Sequence, residues 1–98
     1  IEAIRLAKSL FLKFPNNINA IKILAYSYIQ IGNFDKVIKL LTEGYETQNK
    51  TKDYDYYNNI GYAYLQLDEY KESIKYLKNL SILLLKMGLK GQSIFIKT

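Results

Sequence analysis

The chain contains no cysteine and no histidine. The first absence removes thiol nucleophiles and disulfides. The second removes imidazole bases, and the two together remove the ordinary ligands of zinc. Without a thiol, the redox character of the compartment is not legible either. Proline occurs once, at Pro15, and the five glycines are isolated. No glycine-rich phosphate loop is present; Gly88 and Gly91 with Lys90 match no nucleotide motif. Long apolar runs are also missing. The longest aliphatic run covers residues 82–85, far below the roughly 18 residues a membrane span needs. No stretch resembles a signal peptide. Ser73, Ser81 and Ser93 have no histidine to activate them, and no Ser-x-x-Lys pair exists. The carboxylate pairs are Asp53/Asp55, in a polar stretch, and Asp68/Glu69, at a helix start where acids act as caps. The reading is a protein with no catalytic residues, no metal and no cofactor.

What is present is one small domain of 98 residues, 49% of them apolar, so composition does not point to disorder. Net charge is +5, and all but one of the 14 basic residues are lysine. The lysines are scattered, which reads as a solvated surface rather than a nucleic-acid footprint. Ile1 stands inside a helical pattern, so the expectation is a fragment of a longer protein, cytoplasmic in the absence of a signal or span. Tyrosine is abundant, with 10 copies. Five fall in YYNNIGYAYLQLDEY, residues 56–70, which on propensity alone reads as strand.

Periodicity gives a different answer. Ile1, Ile4, Leu6, Ala7, Leu10, Phe11 and Phe14 form a helical stripe that Pro15 ends. Asn16 and Asn17 turn the chain and offer a cap. A second helix covers residues 18–31 with Ile21, Leu24, Ala25, Tyr28 and Ile31 inward, stopped by Gly32-Asn33. A third runs over about residues 34–45 with Val37, Ile38, Leu40 and Leu41 inward, its end weakened by Gly44. Residues 46–55 read as loop. In the tyrosine stretch, Tyr57, Ile60, Gly61, Tyr64 and Leu67 share one helical face. A last helix over about residues 69–87 turns Tyr70, Ile74, Leu77, Leu80 and Leu84 inward, and Gly88 stops it. Residues 88–98 read as a short cap or tail.

The second and fourth helices superpose in sequence at an offset of 36, which pairs Ala25 with Gly61, Tyr28 with Tyr64, Ile31 with Leu67, Phe34 with Tyr70, Ile38 with Ile74 and Leu41 with Leu77. Two helices joined by a tight turn and repeated at such a period mean an array of helical hairpins. These residues resemble the tetratricopeptide repeat family. Tyr57, Ile60-Gly61, Tyr64 and Tyr70 fill its aromatic, leucine-glycine, tyrosine and second-helix aromatic slots. Ser73 stands where a small alanine is expected. Ile21, Leu24-Ala25, Tyr28, Gly32 and Phe34 fill the preceding copy, with Val37 in place of the alanine. The first helix fits the second helix of a truncated repeat, with Ala3 as its small residue and Pro15 as its closing proline. The linker at residues 48–52 departs from the pattern, being longer and without a closing proline. The resemblance implies an all-α fold, an α-α superhelix of antiparallel helical hairpins: residues 1–15 as a half repeat, 18–46 and 54–87 as repeats, 88–98 as a cap or tail. The runner-up is another helical-hairpin repeat, including the pentatricopeptide type that reads RNA bases.

The resemblance also implies a non-enzymatic scaffold that binds a protein or peptide in a concave groove lined by the first helix of each hairpin. Here that face carries Asn19, Lys22, Ile23, Tyr26, Ile29 and Gln30, then Asp55, Asn58, Asn59, Tyr62, Leu65 and Gln66. Its amides and tyrosines suit an extended or helical peptide. Lys22 and Asn59 match two positions of the family's carboxylate clamp, but Tyr26 stands where a clamp asparagine belongs. RNA binding is the alternative, and a groove with one lysine and one aspartate argues against it. A third reading is an oligomerisation or spacer segment, with residues 83–87 pairing with another copy.

Overall fold

The computed structural model describes residues 2–88, which form five α-helices and, among those residues, no strand. They are α1 (Glu2–Lys13), α2 (Ile18–Gln30), α3 (Phe34–Thr47), α4 (Tyr54–Gln66) and α5 (Tyr70–Lys86). The tyrosine stretch is therefore helix, turn and helix, as its 3.6-residue periodicity requires. The chain divides between Thr51 and Lys52 into two compact units. In the first, α2 packs against both α1 and α3; in the second, α4 packs against α5.

The first unit begins with a helix that buries little: Ala7 is the one fully buried side chain of α1. Ala3, expected to be the small packing residue, is exposed. Ala7 lies one turn further on, and it is the position that meets the core. Asn17 caps α2, its side-chain oxygen accepting from the backbone N–H of Asn19 at 2.9 Å and of Ala20 at 3.2 Å. The core of the unit is Ala20, Ile21, Leu24, Ala25 and Tyr28 from α2 with Val37, Leu41 and Tyr45 from α3. Gly44 does not weaken the end of α3, which continues to Thr47. A Cβ at Gly44 would stand 2.9 Å from Ile21 Cδ1. Its bareness serves the packing of α3 on α2, not termination. Ile31 is exposed, because it is the C-cap residue, beyond the last turn to which the helical count applies.

In the second unit, Asp53 caps α4 by accepting from the Tyr56 backbone N–H at 3.1 Å. Asp53 and Asp55, expected in a loop, are thus the cap and first turn of a helix. The core contains Tyr56, Ile60, Ala63, Leu80 and Leu84, with the buried polar residues Asn58, Asn59 and Ser73. Each such buried Ile or Leu contributes about 1.5–3 kcal/mol. Tyr56 packs edge-on against Tyr57, with centroids 5.3 Å apart, and tilts against Tyr76 at 6.2 Å. Tyr64 stacks on Tyr76 at 5.7 Å. Tyr70 and Ile74, expected inward, are 57% and 54% exposed. The Tyr70 hydroxyl donates to the Asp68 carboxylate at 3.0 Å, which holds the ring out over the turn. Ile74 follows one turn later on that outward stripe. The buried stripe of α5 is instead Ser73, Leu80 and Leu84, with Tyr76 and Leu77 half-buried.

The offset of 36 read from sequence holds at the level of single hydrogen bonds. Asn33 N–H donates to Tyr28 O at 2.9 Å and Gly32 N–H to Ile29 O at 3.1 Å; Glu69 N–H donates to Tyr64 O at 2.9 Å and Asp68 N–H to Leu65 O at 3.0 Å. Both are the paired 6→1 and 5→2 bonds of a Schellman turn. The left-handed residue is Gly32 (φ 78°) in one and Asp68 (φ 61°) in the other. Asp68 and Glu69 therefore do not cap α5. Asp68 takes the left-handed corner, and Glu69 makes no side-chain cap hydrogen bond. The expected cap or tail at residues 88–98 lies, beyond Gly88, outside the described residues.

Candidate functional site

The face of α2 that sequence assigns to a partner is largely open. Asn19, Ile23, Tyr26 and Gln30 are exposed and Lys22 is half-buried. Their spacing of 3, 4 and 7 puts them on one side of the helix. Ile23 and Tyr26 are 48% and 49% exposed, large side chains offered to solvent from the otherwise most apolar helix of the unit. Ile29 does not belong with them: it is 5% exposed. Lying at the margin of the stripe, it turns toward the interior.

The matching face of α4 differs. Gln66 is exposed, and Asp55, Tyr62 and Leu65 are half-buried. Asn58 and Asn59 are buried, at 0% and 6%. Neither end of the Asn58 amide finds a hydrogen-bond partner among the described residues, and neither does Asn59 Oδ1. The two asparagines are therefore not available on an open surface. Asn59 shares its side of the helix with buried Tyr56 and Ala63, and Asn58 lies one turn before buried Gly61.

Sequence reading missed a cleft in the first unit. It encloses about 380 Å³ and is lined by Lys8, Phe11 and Leu12 of α1, Leu24 and Tyr28 of α2, and Lys36, Lys39, Leu40 and Glu43 of α3. The ammonium groups of Lys8 and Lys36 lie 5.9 and 5.6 Å from the centroid of the Tyr28 ring. A second compartment of about 240 Å³ adjoins it, sharing Phe11, Leu40 and Glu43 and ending at Pro15, Thr47 and Gln48. In sequence these lysines read as scattered surface charge. Only the packing of α1 and α3 on α2 brings positions 8 and 36 to one ring.

The tetratricopeptide repeat family model matches residues 54–80, the stretch that holds α4, the Schellman turn and the first part of α5. Residues 54–80 form a tetratricopeptide-like repeat. No curated protein and no solved structure matches the chain. The tetratricopeptide match and the all-helical hairpins fit a single architecture, in which the Gly61 slot lets the second helix approach. A Cβ there would stand 2.8 Å from Leu77 Cδ2. Tetratricopeptide repeats are, in general, protein-interaction modules and non-enzymatic scaffolds, so protein partners are the class the family implies. No helix among the described residues is long and apolar enough to cross a membrane. Among those residues no group of three or more carboxylates is placed to hold a metal ion.

Proposed function

We propose that this chain is a protein-interaction module that holds a peptide segment of a partner on the exposed face of α2. Asn19, Ile23, Tyr26 and Gln30 make the contacts, with Lys22 beside them. The observation that supports this reading is the pair Ile23 and Tyr26, both half-exposed on one side of a helix whose other sides are buried. An aromatic and a branched aliphatic flanked by amides give an apolar anchor with adaptable hydrogen bonding. On α4, Asp55, Tyr62, Leu65 and Gln66 offer a second, smaller face of the same kind. A carboxylate clamp is not part of the proposal, because Asn59, one of its two matching residues, is buried. RNA is disfavoured: Lys22 is the one cation on the α2 face, and backbone-phosphate binding needs several.

The test is affinity capture with the full-length protein beside its Tyr26→Ala and Tyr62→Ala variants. Truncating an exposed hot-spot aromatic costs binding about 2 kcal/mol or more, so Tyr26→Ala should lose partners that wild type retains. Capture of the same partners at the same strength by all three would remove the α2 face from the proposal.

A further inference from the structure

The α1–α3 cleft is a different surface from the α2 face, and its chemistry is more specific. Its walls are apolar, made by Phe11, Leu12, Leu24, Tyr28 and Leu40. Its rim holds three lysines, Lys8, Lys36 and Lys39, against one acid, Glu43. The salt bridge of Arg5 with Glu2 engages none of these lysines. Lys8 and Lys36 meet instead over one ring. Two like charges that share one ring and one cleft give it a positive potential, which an anion relieves. At the far end, in the adjoining compartment, Gln48 Nε2 is buried with no hydrogen-bond acceptor among the described residues. The surface thus has three parts in a row: a cationic end, an apolar middle and an amide donor.

We infer that this cleft binds an acidic peptide segment carrying apolar side chains, supplied by a partner protein. Carboxylates of the segment pair with Lys8 and Lys36. An apolar side chain seats on Phe11, Leu12 and Leu40 above Tyr28. A backbone carbonyl further along accepts from Gln48 Nε2. The volume of about 380 Å³ lies within the range of specific binding pockets. Charge complementarity selects this occupant over a second copy of the chain, whose net charge is +5. The need for apolar contact selects it over a bare polyanion.

The experiment uses fluorescein-labelled synthetic peptides with the full chain: Asp and Leu in alternation, Lys and Leu in alternation, Asp and Ser in alternation, and an oligo-dT strand. The Asp-Leu peptide should bind, and more weakly as salt rises. Lys8→Glu/Lys36→Glu should raise its Kd by about tenfold or more. Leu12→Asp should weaken it comparably without loss of fold, since Leu12 is 77% exposed. Amide-shift mapping should place the peptide at Lys8, Phe11, Lys36 and Leu40, and not at Asn19, Ile23 and Tyr26, which keeps this result separate from the α2 proposal. The inference is overturned by equal binding of the Lys-Leu or Asp-Ser peptide, by tighter binding of oligo-dT, or by unchanged Kd in variants whose helical circular dichroism and melting match wild type.

Discussion

Hairpin α2–α3 and hairpin α4–α5 close through the same Schellman turn, yet the interiors that the turn serves are built from different chemistry. In the first, Ala25 and Val37 are fully buried hydrocarbons, and the bare position is Gly44, on the second helix beneath Ile21. In the second, the bare position is Gly61, on the first helix beneath Leu77, and Ser73 replaces Val37. The Ser73 hydroxyl donates to the Gly61 carbonyl at 2.8 Å in a buried setting. Position 22 in one hairpin is a half-buried lysine, and its counterpart at 58 is a fully buried amide without partners among the described residues. Where both need a left-handed corner, one uses glycine and the other uses Asp68. The backbone tolerates all of these exchanges. What the repeat preserves is close helix approach and the turn; which residue supplies them varies.

The largest expected effect breaks that approach in the second hairpin. Gly61→Leu should cost about 3 kcal/mol or more, because side-chain volume is forced where even a Cβ lies 2.8 Å from Leu77 Cδ2. Gly61→Ala is the finer instrument. It gains about 1 kcal/mol of helix propensity and must push aside a leucine terminus, so its net effect should be small. Urea unfolding of both variants checks the contrast. A Gly61→Leu protein with the wild-type midpoint would refute close packing at this slot.

Next in size is a change in the opposite direction. Burying an unpaired amide costs about 1–3 kcal/mol. Asn58→Leu, which keeps the same branching and number of heavy atoms, should therefore raise stability by about 1–2 kcal/mol, seen as a higher melting temperature. The equivalent change at Lys22 should bring no such gain, since that side chain is half-buried and engaged. A lower melting temperature for Asn58→Leu would show that the amide is satisfied in solution.

These contrasts also mark what sequence could and could not reveal. The helices, the period and the turn between α2 and α3 are legible because they rest on backbone rules: apolar spacing, Pro15, Asn17, Gly32; the turn at Asp68 is not, because a left-handed aspartate reads as a cap. The small slots at Ala25 and Gly61 were legible for the same reason. The faces were less so. Periodicity leaves Tyr56 without a face, and it is core; periodicity turns Tyr70 and Ile74 inward, and they face out. A stripe rotated by one residue keeps its helical period, so periodicity alone cannot fix its phase. Asn58 and Asn59 misled because amides ordinarily seek water. The α1–α3 cleft left no linear signal at all: Lys8 and Lys36 belong to different helices and meet only over Tyr28.

A smaller effect tests the serine that distinguishes the hairpins. Ser73→Ala should cost about 1 kcal/mol, the usual net value of one hydrogen bond. The figure should fall at the low end because the Gly61 carbonyl lies inside α4, where the helical ladder already supplies a donor. Ser73→Val copies the first hairpin and sharpens the comparison. If Ser73→Val is less stable than Ser73→Ala, the second interior lacks the room that Val37 has. If it is more stable, the two interiors are interchangeable and the hydroxyl contributes nothing that burial does not replace.

The smallest effect concerns charge around the paired tyrosines. Tyr28 lies beneath two lysines, whereas Tyr64 stacks on Tyr76. Burial, then Tyr76 and the carboxylates of Glu72 and Glu69, push the Tyr64 phenol above its ordinary value. All of these favour the neutral ring, so the folded state holds the proton more tightly than the unfolded chain. The stability that follows is fully present below about pH 10, the ordinary tyrosine value, and is lost as pH rises through the higher folded value. Wild type should therefore lose more stability than Tyr64→Phe between neutral and strongly alkaline pH. The check is the difference in urea midpoints at the two pH values, which cancels the contribution of the other tyrosines. An identical alkaline loss in both proteins would mean that the Tyr64 hydroxyl is as well solvated in the hairpin as in the unfolded chain, and that the stack on Tyr76 is open to water.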